Sequence, residues 1–418
     1  VEVRAVRPEE LQTAGEVTVA AYAAPRELPI ADAFRSELAD VGGRLADAEV
    51  LVAVEGHEVI GSVTYVPGPT SRLAEFEEPL TAGIRMLAVA PGIRNRGIGR
   101  ALVSACIERA AASGCERLVL HTTHWMHDVQ RLSTRLGFER VPALDREPEP
   151  GLHLQAYRYW LDAAPLLAEV RDTRRALPRL AEHLVPDTLE DAYRVQDRLV
   201  GLLGARVVGW KVSATSAGVQ QQLGLSSPVS GRLLEGHVHP PGTHLQLDRF
   251  VGHPSLAGTI VFRLNADLAE GPFNAPAVAG AVAEVSAGLE VLDSRFVDPT
   301  GVGVLALVAD NGLAGDLVVG AGRPVKGLWD PRDLAVSVVA DGVTLAEGRA
   351  SDALGGPLHV LAWLAGHLAA QRRPLRAGDL VATGSCTGLV ALPVGSGAIQ
   401  ACLGPADQPW LVVEASCS

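Results

Sequence analysis

The stretch Met86 to Val103, MLAVAPGIRNRGIGRALV, holds the most specific chemistry in this chain. Gly97 and Gly99 let a ligand approach the backbone, and a helix beginning there turns unpaired N–H groups toward it. Arg94, Arg96 and Arg100 add positive charge beside those groups. Such a nest suits a pyrophosphate. His121, His124 and His127 follow, and an imidazole titrating near neutral pH can take a proton from an ammonium nucleophile. Lys211 stands out because Lys326 is the only other lysine among the 36 basic residues. His237 and His239 form an H-x-H in a proline-rich turn, where the expectation is solvated rings and not metal ligands.

The elements that must position these groups are readable from the hydrophobic pattern. VEVRAV alternates as a strand, and Pro8-Glu9-Glu10 opens a helix. EVLVAVEG and EVIGSVTYV read as a hairpin turning at Gly56-His57, followed by a polar loop from Pro67 to Thr81. The strand IRMLAVAP then runs into the Arg/Gly loop and the amphipathic helix RALVSACIERAAASG. RLVLHT, VQRLSTRLGF and LHLQAYRYWL complete an alternation of strands and helices over residues 1–162.

A chain of 418 residues exceeds what one core usually serves, so two domains are expected. The boundary falls in the helical stretch Asp162 to Pro186, giving domains 1–162 and 163–418. Beyond Val207, short β segments separated by Gly/Pro turns surround one long helix, LHVLAWLAGHLAAQ. That reads as a β-rich α+β domain, antiparallel for the most part. A net charge of −12 argues against nucleic-acid and acidic-membrane partners. Five scattered cysteines without a CxxC pair, no signal-like N-terminus and no apolar run of ~18 residues point to the cytoplasm.

Arg94-x-x-Gly97-x-Gly99 after the strand MLAVAP resembles the acyl-CoA signature of the GCN5-related N-acetyltransferases. The likeness covers residues 1–162 and implies an α/β acyltransferase fold, a mixed sheet flanked by helices. It implies acetyl-CoA or another acyl-CoA as cofactor. Leu87, Ala88 and Val89 would meet pantetheine, and Arg94, Asn95, Arg96, Gly97, Ile98, Gly99 and Arg100 the pyrophosphate. Family members often carry a glutamate where Gly83 stands and a tyrosine where Ser133 stands. His121 and Ser133 are therefore the candidate catalytic groups on a small-molecule amine.

The segment VGWKVSATSAGVQQQLGLSSPVSGRLLEG, with GLEVLDSRFVD, VADNGLAG and LRAGDLVATGS, resembles the 2-oxopent-4-enoate hydratase and oxalocrotonate decarboxylase branch of the fumarylacetoacetase-like superfamily. The resemblance covers about residues 168–418. It implies a divalent metal on three carboxylates, of which only Glu290 remains, with Ala257 and Thr259 in place of the other two. No tightly bound metal is expected. Lys211 matches the family's active-site lysine and could bind a carboxylate, donate a proton or pair with Glu290, while Glu235 sits where relatives have an aspartate. Three readings stay open: an acyltransferase with a scaffold or substrate-binding domain, a bifunctional enzyme using Lys211 and Glu235, or a non-catalytic CoA-binding protein. Relatives of the second domain suggest a homo-oligomer formed through it.

Overall fold

Apolar alternation builds the central hairpin of the first unit, with Glu49–Glu55 paired antiparallel to Glu58–Val66. The computed structural model describes residues 1–24, 32–93, 96–252, 254–325, 331–391, 397–405 and 408–417. They fold as two units, Val1–Asp162 and Ala163–Ser418. Among the described residues, the first unit has one seven-stranded sheet. Its order is Glu2–Ala5, Glu49–Glu55, Glu58–Val66, Thr81–Val89, Arg117–Thr123, Leu154–Trp160 and Glu139–Arg140. Helix Ile98–Ala112 lays Ile98, Leu102, Cys106 and Ala110 on that sheet, one contact each turn, against Leu51, Ile84 and Leu118.

Two departures from regular pairing shape this sheet. Thr81–Val89 runs parallel to Arg117–Thr123 only from Thr81↔Arg117 to Ile84↔Leu120. Beyond Arg85 the two strands part, and the strand edge from Arg85 to Val89 has no partner on that side among the described residues. On the other side a bulge sets Met86 and Leu87 opposite Val63, with Met86 at φ 52°. The buried Arg44 fixes that bulge by donating to the Met86 sulfur at 2.7 Å and to the Leu38 carbonyl at 3.2 Å.

The second unit opens with helix Ala163–Thr173 and helix Leu189–Leu203, the latter capped by Thr188 through the Asp191 N–H. Its strands form a nine-stranded and a five-stranded sheet among the described residues. One apolar cluster joins Ile260, Leu289 and Val381 of the larger sheet to Val338, Ile399 and Val413 of the smaller. Leu361, Leu364 and Leu368 of helix Pro357–Ala370 close it. Composition understated this helix. With the turn before it, Ala350–Ala370 is long and apolar enough to cross a membrane, yet over half of its most apolar window is buried in the unit. It is a core helix.

Candidate functional site

The parting of Thr81–Val89 from Arg117–Thr123 opens a groove of about 750 Å³ in the first unit. Leu87 and Val89 line it with Gly97, Ile98, Gly99 and Arg100, and the late helix, His127–Arg135, adds Val129 and Leu132, with Leu136 at its C-cap. Gly97 caps helix Ile98–Ala112 from the left-handed region, at φ 80°, where a side chain would be strained. A Cβ on Gly99 would lie 3.2 Å from Leu132, so its absence lets the helix start close to the late helix. Among the described residues no side chain caps the first N–H groups of this helix, which leaves them open to an anion with the helix dipole behind them.

The other loop residues divide. Arg100 lines the groove, whereas Arg96 lies outside its lining and pairs with Glu55 at 2.7 Å. Arg94, Asn95 and Lys326 lie outside the described residues. Ala88 is buried and does not line the groove.

Neither candidate catalytic group of this unit lines the groove. Ser133 is 2% exposed, and its hydroxyl donates to the Val129 carbonyl one helical turn back at 2.8 Å. His121 is likewise shut in. Its Nε2 faces the Leu144 carbonyl at 3.0 Å and its Nδ1 the Glu75 carboxylate at 3.1 Å. Both ring nitrogens are occupied by oxygen acceptors of the protein. His124 and His127 are exposed, and His127 lines the groove.

Sequence reasoning missed the groups that His121 serves. The loop before Thr81 lays Phe76 over Gly83, where a Cβ would come within 2.5 Å of its ring. The glutamate position is thus filled by an aromatic side chain. The same loop brings Glu75 against His121 and against Arg85 at 3.3 Å, with Glu37 3.6 Å from the same guanidinium. Burial raises the Glu75 carboxyl, but hydrogen bonding from His121 and the charge of Arg85 outweigh it and bring it below the ordinary value. Tyr22, at the end of helix Leu11–Ala23, lines the groove within the field of Arg85 and Glu75. A loop carboxylate and a first-helix phenol carry no local motif, so spacing alone gave no signal for either.

In the second unit, alternation puts Ala257 opposite Glu290 and Thr259 opposite Gly288 on one sheet face. Lys211 reaches Glu290, with Nζ 2.5 Å from Oε1, both side chains almost wholly buried. Among the described residues the ammonium has no hydrogen-bond partner, and its contact with Glu290 lacks good hydrogen-bond geometry. Thr259 donates to the Gly384 carbonyl at 2.8 Å. A hard divalent ion needs several oxygen ligands. Here one carboxylate faces an ammonium, one hydroxyl is engaged and Ala257 offers no donor atom. These residues do not fit the ion.

Two further expectations for this unit are corrected by the structure. Glu235 stands beyond the end of strand Val229–Leu234, exposed and bonded to Arg206 at 2.7 Å, where it does not join Lys211. His237 and His239 are not simply solvated. Nδ1 of His237 lies 2.8 Å and Nε2 of His239 3.0 Å from the Asp316 carboxylate, with Arg249 at 3.3 Å. Burial raises the Asp316 carboxyl, but these partners bring it down to about 2. Among the described residues no group of three His, Cys, Asp or Glu side chains is arranged to hold a metal ion.

Comparison with known proteins agrees with both halves. Residues 20–138 match the profile of the Acetyltransferase (GNAT) family. Over 235 residues the chain is 33% identical to a 2-keto-4-pentenoate hydratase of Paraburkholderia phymatum, covering 55% of this chain and 88% of that protein. It is 35% identical to a 2-keto-4-pentenoate hydratase of Burkholderia vietnamiensis, over 45% of this chain and 71% of that one. The solved structure of 4-oxalocrotonate decarboxylase from Pseudomonas putida G7, complexed with magnesium and adipate, shares the fold. It aligns with a TM-score of 0.56 at 24% identity over 61% of this chain and 95% of that one.

Proposed function

The chain belongs to the 2-keto-4-pentenoate hydratase family through its second unit and carries a GNAT acetyltransferase domain ahead of it; on that premise we propose that it is an acyl-CoA-dependent N-acyltransferase acting on a small-molecule amine. The groove carries this reading. Its wall is a strand edge from Arg85 to Val89 that has no partner on that side among the described residues, and its backbone groups can pair with the amides of a pantetheine arm. Its end is the uncapped helix start at Gly97, with Arg100 beside it, which suits a pyrophosphate.

Acetyl-CoA is the expected donor. The amine approaches where the strands part, beside Arg85 and Glu75, and positioning with backbone N–H stabilisation of the oxyanion supplies much of the rate. His121 holds Glu75 and does not itself contact substrate in this reading. The second unit is a metal-free scaffold or substrate-binding module, since Lys211 is spent on Glu290 and Glu235 lies apart from it. A cytoplasmic setting and assembly through the second unit complete the proposal.

Calorimetry on the full chain tests it directly. CoA should bind with micromolar affinity, and thiol release from acetyl-CoA should rise when primary amines are offered. Gly97→Val forces a branched side chain into the left-handed region beside the anion site and should weaken CoA binding about 100-fold. Absence of CoA binding to the native chain would end the acyltransferase reading.

A further inference from the structure

The lining of the groove changes character along its length. Its charged members, Arg100, His127, Asp128, Arg131 and Arg135, belong to the helix start after Gly97 and to the late helix. Asp128, the one carboxylate among the described lining residues, is paired with Arg131 at 2.5 Å. Toward the parted strands the lining is apolar and aromatic, with Tyr22, Leu87, Trp125 and Met126 beside Ala21 and Ala24.

Their own elements hold these side chains in place. Beyond the last pair, Ile84↔Leu120, one strand continues to Leu87, and the other runs through Thr123 into the turn that carries Trp125 and Met126. The Met126 N–H closes that turn on the Thr123 carbonyl at 3.2 Å. Gln130 Nε2 adds bonds to the Thr123 carbonyl at 2.9 Å and the His124 carbonyl at 3.1 Å. The His124 ring meets the Trp125 indole edge to face, with centroids 4.6 Å apart. On the first helix the Thr18 and Ser62 hydroxyls meet at 2.7 Å one turn before Tyr22, and the Phe34 ring lies edge to face with the phenol at 6.0 Å. Trp125 and Tyr22 stay partly exposed, so ring surface is open to an occupant of the groove.

We propose that the acyl acceptor is a monoamine with an apolar, preferably aromatic, body that packs against Leu87 and Trp125 with Tyr22 alongside. This inference rests on the acyltransferase reading of the same groove and names its substrate class. A ring placed there gains from leaving water and from aromatic contact. A polycation gains nothing comparable, because a second ammonium finds no unpaired carboxylate in the described lining. Beside the gap, Glu75 and Glu37 both face Arg85, and Glu75 also holds His121.

The test measures acetyl transfer by the full chain, at saturating acetyl-CoA, to ethylamine, phenethylamine and spermidine. Burial of the ring should raise kcat/KM for phenethylamine over ethylamine roughly 10- to 100-fold, chiefly through KM. Spermidine should gain nothing over ethylamine. Trp125→Ala should lower the phenethylamine-to-ethylamine ratio about tenfold, and Trp125→Phe should restore most of it. No transfer to phenethylamine, a native ratio near one, a preference for spermidine, or a ratio untouched by Trp125→Ala would overturn the assignment while leaving the acyltransferase reading intact. So would a wall that reads the acyl group instead, seen as Trp125→Ala changing the rate with phenylacetyl-CoA relative to acetyl-CoA and not the amine ratio. Failure of the native chain to bind CoA in calorimetry would remove the acyltransferase reading, and this inference with it.

Discussion

The two units treat their polar groups in opposite ways. In the first, the strand edge from Arg85 to Val89 and the helix start at Gly97 border a groove without protein partners among the described residues. In the second, Thr259 answers a carbonyl, His237, His239 and Arg249 converge on Asp316, and Lys211 and Glu290 form a buried ion pair that lacks good hydrogen-bond geometry. Groups left unsatisfied on an open surface are held ready for a ligand, whereas groups that satisfy one another hold a fold. In the proposed reading the first unit is the working site and the second a scaffold or substrate-binding module, and the Lys211–Glu290 pair is the place where that reading is most exposed to test.

The Lys211–Glu290 pair gives the sharpest way to break this contrast. Lys211→Met leaves a carboxylate buried without a counter-charge and should destabilise the protein by about 3–5 kcal/mol in urea unfolding. Replacing both, Lys211→Met with Glu290→Leu, should recover most of that loss, because the penalty arises from the orphaned charge and not from the missing pair. A single variant as stable as the native chain would mean that Glu290 is open to solvent or to a ligand. The second unit would then regain a claim to chemistry.

A smaller effect is expected at Asp316. Its pKa is about 2 in the folded chain against an ordinary 3.8. The folded value is the lower one, so ionised Asp316 adds stability above about pH 4, and this is lost as pH falls toward 2. The shift corresponds to about 2 kcal/mol. Native protein should therefore outlast Asp316→Asn by about that margin in unfolding at pH 6, and the margin should close near pH 2. A difference that stays constant over this range would show that His237 and His239 do not hold the carboxylate in solution.

What the sequence disclosed and what it hid follow from how far apart the cooperating residues lie. The Gly97–Arg100 helix start was legible because the loop, the cap and the N–H groups are all local. Glu75, Arg85, Tyr22 and His121 meet through a loop, a strand, a helix and another strand, and no single window contains them. Ser133 shows a different limit. Its position in the motif is as the pattern implies, but a short hydroxyl in a helix finds the carbonyl four residues back before it can reach a ligand. Lys211 could be read from sequence as a ligand group or an ion-pair member, and its position against Glu290 comes from strands far apart in the chain that no local window joins. The pairing of Glu235 with Arg206, 29 positions away, is equally invisible in its own stretch of sequence.

The smallest expected effect is none at all, and it concerns metal. A bound ion stabilises the folded state in proportion to the logarithm of its concentration over its dissociation constant. At the Ala257, Thr259 and Glu290 positions the second unit offers Mg²⁺ or Mn²⁺ a single carboxylate, already faced by an ammonium at 2.5 Å. An incoming cation would have to displace that ammonium and then bind with Ala257 and an engaged Thr259 at the positions beside it. Mg²⁺ also gives up water reluctantly, so one displaced ligand does not repay its dehydration. Millimolar Mg²⁺ or Mn²⁺ should therefore leave the melting temperature unchanged, chelator should leave thiol release unchanged, and metal analysis should find no stoichiometric ion. Adding Ala257→Glu and Thr259→Glu alone should not create a site, because Lys211 still occupies Glu290. The same pair of glutamates combined with Lys211→Met should begin to respond to Mn²⁺. Metal-dependent melting of the native chain would reverse this order, marking the second unit as the one that keeps its groups ready for a ligand.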